Sequence, residues 1–423
     1  MTRQSAGATP PGADPTRSAA FDLINAVVSA RRSLDDALAA LGGIEPRDRA
    51  AAHRIAGSVL RRLGSLDAVL EPFLKKVPPD PVRHVLRIGA ASLLLLDTPP
   101  HAAVATAVAL ARQRGLAPFA GLVNAVLRRV AEHGAETMAQ LDGPRLDTPS
   151  WLWTSWGNQA RAIARAHLTE APLDLSLLLG AIPPEGGEEL PTGSWRYPAG
   201  TRVTELAGCE DGNFWVQDAA AALPAVLLAA QPGERVADLC SAPGGKTAQL
   251  AATGASVAAI ELSPTRMARV AENLTRLKLT AELITADAAT WRPAEPLDAI
   301  LLDAPCTATG TIRRHPDVPH IKRPRDVQLM VAQQDRLLEA AAEMLRPGGR
   351  LIYAVCSLQP EEGAPRIARA LEKLPFRAAP FTAAELPALA EAITPEGHLR
   401  TLPSFWPERG GMDGFFAARL IRV

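Results

Sequence analysis

From residue 217 to the C-terminal end, short apolar runs alternate with helical patterns, and this alternation constrains the fold more than any other feature of the chain. Arg235–Leu239 reads as a short buried strand. Ser256–Ile260, Ala281–Thr285, Leu297–Leu302 and Arg350–Val355 read as four more. Between them Thr247–Ala252, Pro264–Leu277 and Val327–Leu345 carry helical spacing. After a further helical stretch at Ala364–Leu374, Gly414–Val423 closes the chain as a strong strand. Such alternation predicts a parallel sheet with right-handed crossovers. In sheets of this kind ligands bind across the carboxyl ends of the strands, so strand-end residues are where chemistry is expected.

The first strand runs into Asp238-Leu239-Cys240-Ser241-Ala242-Pro243-Gly244-Gly245-Lys246-Thr247, and a helix follows. Glycines between a strand and a helix let a ligand approach the backbone and meet the amides of the first helical turn. A nucleoside-triphosphate loop is disfavoured, because it needs a glycine where Cys240 stands. Acids end the next three strands: Glu261, Asp287 and Asp303. A lone strand-end acid is usually a turn former. Three of them in register behind a glycine loop point to a nucleoside cofactor instead, with Glu261 on the ribose, Asp287 on the adenine amine and Asp303 near the transferred group. Without a phosphate-cradling motif, S-adenosylmethionine is favoured over NAD.

Two of the four cysteines also follow strands of this sheet. Cys306 lies in Asp303-Ala304-Pro305-Cys306, and Cys356 in Cys356-Ser357-Leu358-Gln359-Pro360-Glu361-Glu362. Neighbouring strands are about 5 Å apart, so the two thiols are expected to face each other across the carboxyl edge. No metal is expected, since the spacing lacks a Cys-x-x-Cys and no His pair lies nearby. A thiolate suits one reaction particularly well. Carbon 5 of cytosine is a poor nucleophile until a thiolate adds to carbon 6 and turns the ring into an enamine.

These motifs together resemble the Sun/Fmu family of RNA cytosine-5 methyltransferases over roughly Phe214–Val423. The resemblance implies a Rossmann-like class I S-adenosylmethionine-dependent domain. It makes Cys356 the nucleophile and Cys306 the helper of proton removal and product release. It makes Cys240, Ser241, Ala242, Pro243, Gly244, Gly245, Lys246, Glu261, Asp287 and Asp303 the cofactor and active-site positions, with Lys246 and Asp303 also facing the reacting centre. Gln217-Asp218 matches the family's entry to the site. Leu173-Asp174-Leu175-Ser176 departs from the family's Arg-x-Asn at the corresponding strand end.

Ahead of this domain the chain reads as disordered over 1–16 and as an all-α domain over 17–143, with amphipathic stretches from Arg17 to about Val130 and a linker at 131–147. Residues 144–213 form a small α/β middle segment that holds four of the seven tryptophans, read as packing anchors; the last domain is 214–423. Val85-Leu86-Arg87-Ile88-Gly89, Val104-Ala105-Thr106-Ala107-Val108 and Val123-Asn124-Ala125-Val126-Leu127-Arg128 resemble the NusB-like RNA-binding domain. In the family that domain precedes the methyltransferase of the bacterial small-subunit rRNA enzyme, which implies 16S rRNA or a small-subunit precursor as partner.

The formal net charge is zero, which by itself speaks against nucleic acid. The charge is uneven, however: residues 1–143 hold 17 basic and 13 acidic side chains. A dense basic run, Arg313, Arg314, Lys322, Arg323 and Arg325, follows the Cys306 loop and is expected to contact phosphates. Four cysteines are no disulfide scaffold, and there is no secretory h-region or long apolar span, so a reducing cytoplasmic location with no membrane partner is expected. The alternatives are a tRNA substrate, a small-molecule methyltransferase, and a non-catalytic RNA-binding assembly factor. The basic loop argues against the second, and the presence of both cysteines against the third.

Overall fold

In a computed structural model of the protein, described over residues 14–423, the chain divides into two compact units. The first comprises the described residues through Thr169 together with His315–Lys322; the second comprises Glu170–Arg314 and Arg323–Val423. Of the unstructured lead expected over 1–16, residues 1–13 lie outside the described residues. Asp14, Pro15 and Thr16 do not fit that expectation, because the first helix already begins there.

The first unit is helical. Its elements are α1 (Pro15–Val28), α2 (Leu34–Ala39), α3 (Pro46–Arg61), α4 (Leu63–Leu70), α5 (Asp80–Leu94), α6 (Pro100–Gln113), α7 (Ala120–Gln140), α8 (Gly143–Leu146), α9 (Ser150–Trp156), α10 (Ala160–Ala166) and, far along the chain, α14 (Val318–Ile321). Asp14 caps α1 by accepting from the Arg17 amide, and Pro15 sits in the first turn where its missing N–H costs nothing. Leu23, Ile24 and Val27 of α1, Val59 and Leu60 of α3, Leu86 and Ile88 of α5 and Val123, Leu127 and Val130 of α7 meet in one core.

Two boundaries differ from the sequence reading. The linker expected at 131–147 is helical as far as Gln140. Its Ala, Glu and Met residues are strong helix formers, and Gly134 lets the helix close on α5: a Cβ there would come within 3.2 Å of Leu94 Cδ2. The tryptophan-bearing helix α9 and the following α10 belong to the helical unit rather than to the middle segment. There Trp156, Ala160 and Ile163 are buried, and Arg61 donates to the His167 carbonyl.

The His315–Lys322 segment is held in this unit by long-range bonds. Asp317 Oδ2 accepts from the Leu34 amide at 3.0 Å, and His320 Nε2 donates to the Leu60 carbonyl at 2.8 Å.

The second unit contains two sheets. β1 (Leu173–Leu177), β2 (Glu188–Glu189), β3 (Trp195–Tyr197) and β4 (Phe214–Val216) form an antiparallel sheet in the order β2-β3-β1-β4. The larger sheet contains β5 (Arg235–Leu239), β6 (Ser256–Glu261), β7 (Glu282–Thr285), β8 (Leu297–Asp303), β9 (Leu345–Val355), β10 (Phe376–Ala378), β11 (Leu399–Arg400) and β12 (Phe416–Arg422). Its order is β10-β12-β9-β8-β5-β6-β7, with β11 paired to β12. The β7-β6-β5-β8-β9 block is parallel, whereas β12 and β10 run antiparallel to their neighbours. The helices of this unit are α11 (Ala219–Leu228), α12 (Gly245–Ala252), α13 (Pro264–Leu277), α15 (Pro324–Met344) and α16 (Ala364–Lys373). Apolar clusters lie on both faces of the sheet, which is why its strands read as continuous rather than alternating apolar runs. Strand order reverses between β5 and β8, so the crevice at their carboxyl ends is the topological switch point where a ligand belongs.

Candidate active site

The loop after β5 enters that crevice. Cys240 has a φ of +65° and Gly244 one of +103°, the latter capping α12. Glycine is needed at 244 for two reasons. The φ excludes most side chains, and a Cβ would come within 3.3 Å of the Val270 backbone in α13. Burial, reinforced by the charges of Asp303 and Glu261, pushes the Cys240 thiol up, so this cysteine stays a protonated small hydrophobe.

The strand-end acids have distinct environments. Glu261 is 3% exposed; its Oε1 accepts from the Ser263 amide at 3.0 Å, while Oε2 is buried with no protein partner. Ser241 Oγ, at the end of the adjacent strand, is likewise buried without one. A buried carboxylate oxygen and hydroxyl left open at neighbouring strand ends fit a ligand that brings its own hydroxyls, as the ribose of a nucleoside does. Asp287 is half-buried beyond β7, and its Oδ1 accepts from the Ala289 amide. Asp303 accepts from Lys246 Nζ at 2.7 Å. Burial pulls the Lys246 ammonium down, but Asp303 more than offsets this and keeps it above the ordinary lysine range.

Asp238 lies beneath the loop, fully buried, with Thr247 Oγ1 donating to its Oδ2 at 2.5 Å. Burial pushes its carboxyl up to about 7; the Thr247 bond opposes the shift and the Asp303 charge adds to it. A raised folded-state pKa gives stability that is fully present below the unfolded value of about 4 and is lost as pH rises through about 7. Asp238→Asn is therefore expected to flatten the pH profile, changing the native-minus-variant difference by about 1 kcal/mol between about pH 6 and 8. Urea denaturation at the two pH values measures this, and parallel profiles would refute it.

The two cysteines expected to face each other do so: Cys306 Sγ lies 3.4 Å from Cys356 Sγ. Adjacent strands β8 and β9 bring them together across 50 residues. The loop after Cys306 then turns tightly. Gly310 donates to the Cys356 carbonyl, and a Cβ on Gly310 would strike the Gly414 carbonyl oxygen at 1.9 Å. The hydrogen bond to Cys356, followed by burial, raises the Cys306 thiol well above its usual range. Either sulfur can be the donor in this contact.

The basic run is not a uniform phosphate-binding loop. Arg313 is 1% exposed; it lies 3.0 Å from Asp218 and donates to the Gly410 carbonyl. Arg314 pairs with Asp413, which is fully buried. The Arg313 side chain is taken up in a buried ion pair, which does not fit its assignment as an RNA contact, whereas Arg314 is exposed despite its pairing. Lys322 ends the segment held in the helical unit, Arg323 donates its amide to Asp326 at the start of α15, and Arg325 is exposed. Asp174, where the family's polar motif is replaced, accepts twice from Arg196 within the smaller sheet. Composition signalled none of these pairs, because each joins residues 22 or more positions apart.

Residues 225–421 match the 16S rRNA methyltransferase RsmB/F family, and residues 14–132 match the NusB family. The ribosomal RNA small subunit methyltransferase B of Cronobacter sakazakii is 35% identical, covering 96% of this chain and 98% of its own length. The enzyme of the same name from Xanthomonas campestris pv. campestris is 36% identical, with 96% and 97% covered. The chain belongs to the RsmB/F family. A solved methyltransferase homologue from Pyrococcus horikoshii is 26% identical with a TM-score of 0.53, covering 65% of this chain and 94% of that one. This RsmB/F member thus joins an N-terminal NusB domain to a Rossmann-like domain of the S-adenosylmethionine-dependent methyltransferase type.

Proposed function

We propose that the protein methylates carbon 5 of a cytosine in 16S rRNA, with S-adenosylmethionine as donor and a covalent Cys356 adduct on the pathway. The 3.4 Å approach of the two thiols at the strand ends carries this reading. The names of the two relatives support the substrate class, and the open Glu261 and Ser241 oxygens support the cofactor. Residues 240–246, Glu261, Asp287 and Asp303 would hold the cofactor, which when bound supplies an electrophilic methyl group.

The chain's own residues do the rest. The Cys356 thiolate adds to carbon 6 and makes carbon 5 nucleophilic. Lys246 and Arg314 place positive charge in the field of that sulfur. After transfer, the carbon-5 proton leaves with help from Cys306, and elimination expels the Cys356 thiolate. The target base is unpaired or flipped, since stacking blocks access to carbon 6. Arg314, Lys322, Arg323 and Arg325 remain as the phosphate contacts of the basic run.

Cys306→Ala tests the scheme. Incubated with S-adenosylmethionine and a 16S rRNA transcript, it is expected to accumulate a protein–RNA adduct that survives a denaturing gel. No adduct would refute the release role of Cys306; an adduct with tRNA alone would move the substrate to that class.

A further inference from the structure

The Pro360-Glu361-Glu362 turn behind Cys356 has no part in the chemistry above, yet Glu362 is fully buried. Its Oε1 accepts from the Thr307 amide at 2.9 Å and from Gln334 Nε2 at 3.0 Å. Its Oε2 accepts from the Ser357 hydroxyl at 2.5 Å and from the Thr307 hydroxyl. Gln334 Nε2 also donates to the Pro305 carbonyl at 2.8 Å. One carboxylate therefore holds the residue after each cysteine and, through Gln334, the residue before Cys306.

The donors are all neutral: among the described residues no basic side chain is within ion-pair distance of Glu362. Arg400 feels the Glu362 charge but donates to the Ser357 carbonyl instead of pairing with the carboxylate. Burying a carboxylate without a directly paired cation is costly, and an apolar residue of similar size would pack there more favourably. A charge kept in such a place is explained by what it positions. Its acceptor geometry is also hard to imitate. Four donors converge on two oxygens from three separate elements, and each donor's backbone belongs to a loop bearing a thiol or to α15.

We propose that Glu362 is a positioning residue that fixes the separation of Cys306 and Cys356 by clasping the loops after β8 and β9 through Thr307 and Ser357. The proposal rests on the reading that these two thiols carry the chemistry. The Glu362 charge has a second effect in the same direction. After the hydrogen bond to Cys356 and burial, it helps to keep the Cys306 thiol protonated.

Glu362→Gln keeps the shape but removes the charge and turns one acceptor into a donor. Thr307→Val removes one hydroxyl donor and keeps the amide. Three measurements on the full-length protein separate positioning from general destabilisation. They are kcat and KM for 16S rRNA methylation, calorimetric affinity for S-adenosylmethionine, and the rate at which dibromobimane bridges Cys306 to Cys356, mapped by mass spectrometry. Glu362→Gln is expected to lower kcat about 100-fold, the loss typical of a misplacement near 1 Å. It should leave cofactor affinity and KM unchanged and slow bridging; Thr307→Val should shift kcat and bridging in the same direction by less. Native bridging and native kcat in Glu362→Gln would overturn the proposal. If that variant loses cofactor binding and so has not folded, native bridging and kcat in Thr307→Val overturn it instead. Bridging is read without RNA, so it still tests the clasp if the thiol chemistry itself proves wrong; that failure would show as methylation surviving in a Cys356 variant.

Discussion

Replacing Cys356 with alanine is expected to reduce methyl transfer by at least about 10⁴-fold while leaving cofactor binding intact. The reason is chemical rather than structural. Without a sulfur at carbon 6 the ring does not become an enamine, and no other group at the site can replace it. Cys306 is the nearest thiol, but its hydrogen bond with Cys356 and its burial raise it well above the ordinary thiol range. The proposed cofactor positions lie on other elements: the loop after β5, Glu261 at the end of β6 and Asp287 beyond β7. Labelled methyl incorporation into 16S rRNA and calorimetry with S-adenosylmethionine together check the split. Retained incorporation would remove Cys356 from the mechanism. An adduct trapped by Cys356→Ala, with none in Cys306→Ala, would exchange the roles of the two thiols.

The largest stability effect is expected at Arg313. Arg313→Ala should cost about 3–5 kcal/mol, because it leaves buried carboxylates short of a cation. Asp218 is 3.0 Å away and Asp413 3.5 Å; both are buried, and Arg314 is then the basic partner that remains for Asp413. The nearby Arg325→Ala should leave stability within about 0.5 kcal/mol, since that side chain is 79% exposed. Urea denaturation midpoints of the two variants decide the matter. A native midpoint for Arg313→Ala would mean that the buried cluster relaxes or protonates at no cost.

The methyltransferase half was legible because its signals are local. A buried strand, a glycine turn and an amphipathic helix declare themselves within about 20 residues, as Arg235–Ala252 does. The thiol pair was legible for a further reason: adjacent parallel strands put their ends side by side, so two strand-end cysteines meet without any knowledge of the loops. What could not be read depends on distant partners. Asp317 finds the Leu34 amide 283 residues away, and Arg313 finds Asp218 across 95. A run of arginines looks the same in sequence whether solvent or buried acid surrounds it. Glu362 falls between the two cases. Its motif was visible, but its role emerges only when Thr307, Ser357 and Gln334 converge on it.

The division of the helical unit into two stretches sets an order on its birth. Residues 14–169 leave the ribosome long before 315–322 are made, with the smaller sheet and the first four strands of the larger one synthesised in between. Until then the Leu34 amide lacks its Asp317 acceptor and the Leu60 carbonyl lacks its His320 donor. A nascent chain halted before residue 315 thus carries a NusB-family module whose last stitches have not been made.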